Sequence, residues 1–385
     1  MKFRCDATAI MNSSARMPAL LCVLMLTGSC GLFGPGERPP NRVLWELPVA
    51  AAQWTGIPAT DGVRAFVQVD SGMISLDPKN GSKNWYSNLH IARGPTSLNI
   101  VHDRGSLYMV DRLTVYSLNA ADGTLRWQVT PAERPDEAEV ATDGSSVYVG
   151  TRAASVLALD AATGGQLWTS SFVQGWPYGG VVTGFGISGD TLYASGAEYL
   201  RDGGYLKRGV VKAYDRRTGA QLAEFKATDS SSSAGGAVTI AGNLLLLSDL
   251  VGGSFFAVDR FTMALKWRVF GDPTSFGPTQ APIVLGDTVF VGSADQFAYA
   301  ANLETGQLYW KTYIGGSVLQ FALCRDLFLG NNQDVAVINR RTHKLESYQI
   351  RSHGSSSGFP TSGFAVVGDV AVVEGTQSIY GISCR

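Results

Sequence analysis

One nine-residue motif recurs along this chain and constrains its fold more than any other feature. Its third copy reads DAATGGQLW, and all copies begin with Asp or Asn and align without internal gaps. Most copies have Gly at position five and Trp at position nine. The seven copies are Asp77–Trp85, Asn119–Trp127, Asp160–Trp168, Asp215–Ala223, Asp259–Trp267, Asn302–Trp310 and Asn339–Ser347. A motif repeated in this way indicates a repeating scaffold rather than one cofactor pocket.

Each copy predicts a β-hairpin. Apolar residues alternate before the Asp or Asn, as in Ser155–Asp160, and resume after the Gly. The Asp or Asn side chain can accept hydrogen bonds from backbone amides two residues on. The Gly suits a left-handed residue that ends a type I turn with a bulge. Met263 and His343 replace this Gly in two copies, where a modest conformational cost is expected.

The spacing of the hairpins predicts a β-propeller. Position nine recurs in steps of 37 to 55 residues, and four of the six steps lie between 41 and 44. A Gly or Asp turn and an alternating strand, such as Gly189–Gly196, precede each hairpin, and a further apolar stretch lies upstream. Four strands in about 40–45 residues make one propeller blade.

The two ends of the chain predict how the ring closes. Eight second-strand segments can be counted, and the last unit stops after its third strand, Gln377–Ser383. The segment Arg42–Val49 carries Trp45 one period before Trp85. We therefore predict an all-β fold over residues 42–385. It is an eight-bladed β-propeller of four-stranded antiparallel blades, in which the N-terminal strand completes the last blade and closes the ring.

The recurring tryptophans are predicted to dock each blade against the next. An indole is a large apolar plug with one polar N–H, and losing one is expected to cost about 3–5 kcal/mol. Ala223 and Ser347 stand at position nine in two copies and predict weaker seams around blades four and seven. The six predicted docking residues are Trp45, Trp85, Trp127, Trp168, Trp267 and Trp310.

Residues 1–30 predict an export signal. Lys2, Arg4 and Arg16 precede the apolar run Ala19–Leu26, which is shorter than the roughly 20 residues that a membrane span needs. The long basic stretch leaves Met11 or Met17 as alternative starts.

The end of this signal predicts a lipid anchor. LTGSC, ending at Cys30, resembles the lipobox of bacterial lipoproteins, although Thr27 and the Gly28–Ser29 pair depart from the usual pattern. Cys30 is the predicted lipidation site, with ordinary signal cleavage as the alternative. Residues 31–41 are rich in Gly and Pro and fit a flexible tether.

The remaining chemistry in the sequence is sparse. Cys324 and Cys384 are the pair left after export and lipidation, either bridged or both free. The four histidines lack metal-ligand spacing, and no catalytic, metal or cofactor residue is predicted. A net charge of −1 without a basic stripe argues against a nucleic-acid partner.

The motif [DN]xxTGxxxW resembles the pyrroloquinoline-quinone-type propeller repeat. Two groups share this repeat: the quinoprotein alcohol and glucose dehydrogenases, and the BamB family of lipoproteins, which are non-enzymatic scaffolds in outer-membrane β-barrel assembly. The resemblance implies, for alcohol dehydrogenases, adjacent cysteines beside the quinone and Ca²⁺ held by carboxylate and amide groups. This chain has short blades, no adjacent cysteines and no cluster of Asp, Glu and Asn.

The resemblance therefore favours a BamB-like role. It implies a non-enzymatic lipoprotein at the periplasmic face of the outer membrane, or a soluble periplasmic protein. It also implies a monomeric propeller that works in a complex with the β-barrel assembly machinery. The alternatives are a small quinone-dependent oxidoreductase and a propeller that binds polysaccharide or another envelope ligand.

Loops near blades three to five are predicted to bind the partner. An insertion at Glu198–Arg208 lengthens blade four and mixes Tyr, Leu and Arg, residue types that are frequent at interfaces. The alternative is that these are ordinary Gly- and Ser-rich propeller loops. The candidate partner-binding residues are Trp176, Tyr178, Tyr199, Leu200, Arg201, Tyr205, Leu206 and Phe276.

Overall fold

A computed structural model describes most of the chain from residue 41 onward. The described ranges are 41–49, 57–69, 72–89, 99–111, 113–135, 140–173, 179–200, 207–228, 234–249, 252–271, 277–278, 280–318, 320–331, 334–350, 360–375 and 377–385. The predicted signal, Cys30 and nearly all of the tether lie outside these residues. Among the described residues, no helix has the length and hydrophobicity needed to cross a bilayer.

The strands form eight antiparallel sheets of four, and each sheet is one blade. Blade one contains β2 (Ala59–Thr60), β3 (Ala65–Val69), β4 (Gly72–Leu76) and β5 (Lys83–Asn88). Blade two contains β6 (Val101–Asp103), β7 (Ser106–Asp111), β8 (Thr114–Asn119) and β9 (Leu125–Val129). Blade three contains β10 (Ala141–Thr142), β11 (Ser146–Gly150), β12 (Ser155–Asp160) and β13 (Gln166–Ser171). Blade four contains β14 (Gly180–Ser188), β15 (Thr191–Tyr199), β16 (Lys207–Asp215) and β17 (Gln221–Lys226).

The second half of the chain repeats the same order. Blade five contains β18 (Ala234–Ala241), β19 (Leu244–Asp249), β20 (Ser254–Asp259) and β21 (Leu265–Phe270). Blade six contains β22 (Ile283–Leu285), β23 (Thr288–Gly292), β24 (Phe297–Asn302) and β25 (Leu308–Tyr313). Blade seven contains β26 (Gln320–Cys324), β27 (Leu327–Asn331), β28 (Val335–Asn339) and β29 (Lys344–Gln349). Blade eight contains β30 (Pro360–Val367), β31 (Val370–Gly375), β32 (Ser378–Ser383) and β1 (Val43–Pro48).

Ring closure follows the sequence prediction. The first strand, β1, pairs antiparallel with β32, and the order in blade eight is β1-β32-β31-β30. Trp45 lies opposite Gly381 in this pairing, and Ser378 Oγ donates a hydrogen bond to Glu46 Oε1 over 2.7 Å. The predicted eight-bladed propeller, closed by the N-terminal strand, is confirmed.

The hydrophobic core is divided among the seams between blades. Eight clusters of buried residues occur, and each contains side chains from two neighbouring blades. The second strand of each blade supplies many of these residues; β3, β7, β11, β19 and β31 are buried along their whole length. Each blade therefore buries both faces, and no blade has a core of its own.

Candidate functional site

The repeated hairpin is held by its first residue. Asp160 Oδ1 accepts hydrogen bonds from the backbone N–H of Ala162 over 3.1 Å and of Thr163 over 2.8 Å, and from the Thr163 hydroxyl over 2.8 Å. The Thr163 hydroxyl and amide lower the pKa of Asp160 because they stabilise the ionised carboxylate. Gly164 has φ of +74°, as predicted for position five. The irregularity in strand register falls three residues later, at Leu167, rather than at the glycine.

Each of the six predicted docking tryptophans lies against the turn of the following blade. Trp168 Nε1 donates a hydrogen bond to Arg216 O over 3.0 Å, and a Cβ built on Gly219 would lie 2.6 Å from Trp168 Cε3. Glycine at position five is therefore required twice, by its positive φ and by the indole that covers it. The same ring-over-glycine contact occurs in the pairs Trp45–Gly81, Trp85–Gly123, Trp127–Gly164 and Trp267–Gly306.

The exceptional copies of the motif have local explanations. Trp310 stacks on His343 of blade seven, with ring centroids 5.5 Å apart and planes inclined by 22°. Ala223 faces a turn that carries Met263, and both belong to the seam between blades four and five. Ser347 faces blade eight, whose two outer strands come from opposite ends of the chain and have no connecting turn for an indole to cover. Arg42 crosses that seam instead, pairing with Glu346 over 2.8 Å.

A disulfide joins blade seven to blade eight. Cys324 ends β26, Cys384 follows β32, and their Cα atoms are 5.6 Å apart in the bonded pair. Both residues are buried. The sequence left the state of these cysteines open, and the structure assigns them to one bridge next to the point of ring closure. Such a bridge is typical of proteins that fold in an oxidising compartment.

The strongest charge cluster ties blade three to blade four. Asp143 Oδ2 pairs with the Arg216 guanidinium and accepts a hydrogen bond from the Tyr148 hydroxyl over 2.9 Å. Burial raises the pKa of Asp143, but hydrogen bonds from Ser145, the Ser146 amide and Arg216 outweigh it and hold this pKa well below its usual range. Burial and the Asp143 carboxylate raise the pKa of Tyr148. Trp168 also donates a hydrogen bond to Arg216 O, so the same arginine is held by several residues of blade three.

Blade four differs from the others in length. Its first three strands have nine residues each. The Tyr199 amide donates to Gly179 O over 2.9 Å, and the Ala227 amide donates to Gly209 O over 2.9 Å. The described residues that make these two hydrogen bonds lie at the same end of the sheet.

Two of the predicted partner-binding residues lie in the described part of the chain. Tyr199 ends β15, and both Tyr199 and Leu200 are half-buried at the end of the blade-four sheet. The other candidates lie outside the described residues: Trp176, Tyr178, Arg201, Tyr205, Leu206 and Phe276.

A cleft of about 200 Å³ opens between blades three and four. Its apolar side is formed by Phe172, Val173 and Val210, and its polar side includes Glu198, Lys212 and Glu224. The sequence prediction directed attention to blade four but missed this cleft. The available signal was Lys212, a lysine on a strand that is apolar at the same position in every other blade.

The cleft is charged but balanced. Lys212 is only 5% exposed, and its Nζ donates to Gln221 Oε1 over 3.0 Å and pairs with Glu224 Oε2 over 3.3 Å. Lys226 Nζ lies 3.5 Å from Glu224 Oε1 and 3.7 Å from Glu198 Oε2. The four charged lining groups, two lysines and two glutamates, sum to zero.

Few of the described residues are candidates for catalysis or metal binding. His102 stacks on Phe66 with centroids 5.9 Å apart, and His343 stacks on Trp310. His90 and His353 lie outside the described residues. Within the described part of the chain, no three His, Cys, Asp or Glu side chains converge in a way that could hold a metal ion.

The comparison with protein families settles the relationship of this chain. The profile described as "Outer membrane protein assembly factor BamB" matches residues 37–136, 111–184 and 207–378. The chain belongs to the BamB family. The matched segments include every copy of the hairpin motif, so the family profile rests on the same scaffold that the motif predicts.

Two curated relatives represent the two groups that share this repeat. The chain is 31% identical to outer membrane protein assembly factor BamB of Escherichia coli (strain K12) over 163 residues, which covers 40% of the chain and 35% of that relative. It is 27% identical to quinohemoprotein alcohol dehydrogenase ADH-IIG of Pseudomonas putida over 248 residues, which covers 59% of the chain and 33% of that enzyme. The chain thus spans about a third of the length of each relative.

Solved structures agree on the fold of this BamB family member. BamB from Moraxella catarrhalis superposes with a TM-score of 0.65 at 16% identity, covering 88% of the chain and 99% of that protein. The ADHIIG structure from Pseudomonas putida superposes with a TM-score of 0.66 at 12% identity, covering 89% of the chain and 76% of the enzyme. At these identities the likeness concerns the propeller alone.

The described residues do not fit the quinone site implied by the dehydrogenase resemblance. The resemblance implies, for the alcohol dehydrogenases, adjacent cysteines beside the quinone and a Ca²⁺ held by carboxylate and amide groups. Here the two cysteines are separated by 60 residues and are buried as a bridge between blades seven and eight. No acidic cluster of the required kind occurs in the described part of the chain.

Proposed function

We propose that this protein is a non-enzymatic envelope scaffold that assists the assembly and insertion of β-barrel proteins into the outer membrane. The observation that carries the proposal is the BamB family match, which covers residues 37–184 and 207–378. The poor fit of the described residues to a quinone site supports a scaffold over an enzyme. The bridge between Cys324 and Cys384 supports an extracytoplasmic location.

The proposed attachment is a lipid on Cys30. The basic, apolar and small-residue pattern before Cys30 supports export and lipidation, and residues 31–41 would give the propeller a flexible tether to the periplasmic face of the outer membrane. Membrane association would then need no transmembrane helix. A soluble periplasmic form is the alternative.

The proposed partner surface is the rim near blades three to five. In this proposal a single propeller docks to a component of the β-barrel assembly machinery through the segments that carry Trp176, Tyr178, Arg201, Tyr205, Leu206 and Phe276, with Tyr199 and Leu200 at their base. Support comes from the long strands of blade four, which extend beyond the usual blade length and end at Tyr199 and Lys207. Tyrosine, tryptophan and arginine are the residues that most often dominate such interfaces.

Deleting the gene and following barrel folding tests this function. Folded β-barrel proteins migrate differently from unfolded ones in unheated denaturing gels. The proposal predicts that the folded fraction of outer-membrane barrels falls in the deletion strain and recovers with the full-length gene. A Cys30→Ala form should restore it less well, because the protein is no longer held at the membrane. An unchanged folded fraction in the deletion strain would contradict the proposed function.

A small quinone-dependent oxidoreductase is the second candidate. The alignment of 248 residues with ADH-IIG favours it, because that stretch is longer than the one shared with the E. coli BamB. The test adds pyrroloquinoline quinone and Ca²⁺ to the purified full-length chain, then follows absorbance and dye reduction with alcohols and sugars. Turnover would replace the scaffold proposal, and a denatured sample provides the blank.

A further inference from the structure

One strand position can be compared across all eight blades. It is the third-strand residue that pairs with the outer-strand residue following position nine. In blade four this pair is Lys212 and Glu224. The equivalents of Lys212 are all uncharged, and four of them are aromatic: Ile74, Tyr116, Leu157, Phe256, Tyr299, Ala336 and Tyr380.

Rings at this position combine with charged outer-strand partners. In blade five the Arg268 guanidinium lies 4.9 Å from the centroid of Phe256. In blade six Lys311 Nζ lies 5.2 Å from the centroid of Tyr299. In blade eight Tyr380 pairs with Glu46, so a tyrosine beside a carboxylate already occurs at this register. The fold accommodates a ring here together with either sign of charge.

Blades one, three, four and seven have no ring at this position, and in blade four a cleft lies beside the lysine. Lys212 is a linear side chain that fills less of the seam than an aromatic ring. Its ammonium lies 6.0 Å from the centroid of Phe172 of blade three, which forms the opposite wall. Phe172 and Val210 supply the apolar contact that a ring would need. The cleft therefore offers an aromatic ring one apolar wall and one cation.

The polar side of the cleft favours a neutral hydrogen-bond donor. Glu198 Oε2 is buried and accepts no hydrogen bond from any residue that the structure describes; the nearest cations are Lys226 Nζ at 3.7 Å and Arg208 Nη1 at 3.9 Å. An anion would face Glu198 and Glu224. A further cation would face the buried ammonium of Lys212. A phenol avoids both repulsions and supplies one donor.

We propose that this cleft binds a tyrosine side chain presented by a partner polypeptide. The ring lies in the cleft beside Lys212 and packs against Phe172 and Val210. The Lys212 ammonium faces the ring as a cation–π partner. The phenolic hydroxyl donates to the Glu198 carboxylate when the exposed Lys226 side chain turns aside. This inference adds a contact chemistry to the scaffold proposal, but its test does not depend on which protein presents the tyrosine.

The experiment titrates the full-length protein with N-acetyl-L-tyrosinamide and follows the methyl NMR signals of Val173 and Val210. The expected result is saturable shifts at both valines and none at Val291 in blade six. N-acetyl-L-phenylalaninamide should bind about tenfold more weakly, because it lacks the hydrogen bond to a charged acceptor. Glu198→Gln replaces the charged acceptor by a neutral one and should reduce this preference, whereas Glu198→Met removes the acceptor and should abolish it.

Two further variants separate the cleft from general surface binding. Lys212→Phe restores the side chain of blade five and should fill the cleft, which abolishes the shifts. Lys311→Met removes a lysine that faces rings in blade six and should bind like the wild type. Absent shifts in the wild type, or equal shifts in the wild type and Lys212→Phe, would overturn the proposal. If Lys212→Phe does not fold, the loss of tyrosine preference in Glu198→Met decides. The barrel-folding phenotype of the deletion strain is independent of these outcomes.

Discussion

Met263 and Ala223 belong to one hydrophobic cluster at the seam between blades four and five, at the motif positions where a glycine and a tryptophan meet in five other seams. The pair reverses the sizes of the usual partners: the large side chain is on the turn and the small one is on the outer strand. Met263 keeps the left-handed backbone of the turn, with φ of +53°. The side-chain volume that Ala223 lacks on the outer strand is supplied by Met263 on the turn. Ala223 therefore does not by itself mark an empty seam.

A double-mutant cycle at this pair should show strong coupling. Ala223→Trp alone places an indole against Met263, and overpacking of this kind costs about 1–3 kcal/mol. Met263→Gly alone removes a buried side chain and costs about 2–5 kcal/mol. The double variant recreates the usual pair, so denaturant unfolding should give a coupling energy of about 1–3 kcal/mol in its favour. Additive effects would mean that the two residues do not compensate each other. Combining Met263→Gly with Trp168→Ala, in the next seam, should be additive.

The indole that covers Gly219 should make this glycine harder to replace than an uncovered one. Gly219 and Gly242 both have positive φ, +72° and +55°. A Cβ on Gly219 would lie 2.6 Å from the Trp168 ring, whereas a Cβ on Gly242 meets nothing within 4 Å. Gly242→Ala should cost about 1–2 kcal/mol for the left-handed backbone alone. Gly219→Ala should cost about 1–3 kcal/mol more. Equal losses in thermal or denaturant unfolding would show that the ring contact contributes nothing.

The bridge between Cys324 and Cys384 should stabilise the closed ring. A cross-link over a separation of 60 residues is expected to contribute about 4 kcal/mol by restricting the unfolded chain. The Cys324→Ser, Cys384→Ser double variant should unfold at lower denaturant concentration than the oxidised wild type. Adding reductant should lower the denaturation midpoint of the wild type to that of the variant and leave the midpoint of the variant unchanged. A wild-type midpoint that does not respond to complete reduction would contradict this account.

Asp259 should make stability depend on pH in the acid range. Hydrogen bonds from the Thr262 and Phe261 amides, together with Lys266, lower its pKa from 3.8 to about 2. Because the folded state holds the ionised form, its contribution is complete above the unfolded pKa and is lost as the pH falls toward the folded pKa. Asp259→Asn keeps the turn, since Asn302 accepts the same two amide bonds in blade six.

The measurement for this prediction is the difference in unfolding free energy between the wild type and Asp259→Asn. This difference should shrink as the pH falls from about 4 to about 2, the window set by the two pKa values. The reverse variant, Asn302→Asp, should acquire a similar pH dependence. Parallel stability curves for the wild type and Asp259→Asn would show that the turn carboxylate does not contribute.

The sequence predicted the scaffold because each blade carries the same local instructions. Asp160, Gly164 and Trp168 specify a turn, a left-handed residue and a seam contact, and their repetition fixes the number of blades. The disulfide could not be assigned, because pairing of Cys324 with Cys384 depends on how blades seven and eight meet. The sequence shows that Ala223 and Met263 both depart from the motif. Only the structure shows that they belong to the same seam, because they lie in different copies of the motif.

The cleft was harder to predict than the fold for a physical reason. Lys212 is recognised as an exception only when the equivalent residues of all blades are compared. That comparison requires the strand register that pairs Lys212 with Glu224. Phe172 comes from another blade, so the opposite wall depends on the curvature of the ring. The rim loops remain predictions, because most of the residues proposed for them lie outside the described part of the chain.

The most direct test of the scaffold role is quantitative affinity purification of the tagged full-length protein from detergent-solubilised envelopes. The account predicts that components of the β-barrel assembly machinery are enriched over an untagged strain. It also predicts that Arg201→Glu in the proposed rim reduces this enrichment, whereas Lys311→Met on the outer strand of blade six does not. Absence of these components from the eluate of a folded, correctly exported protein would contradict the account.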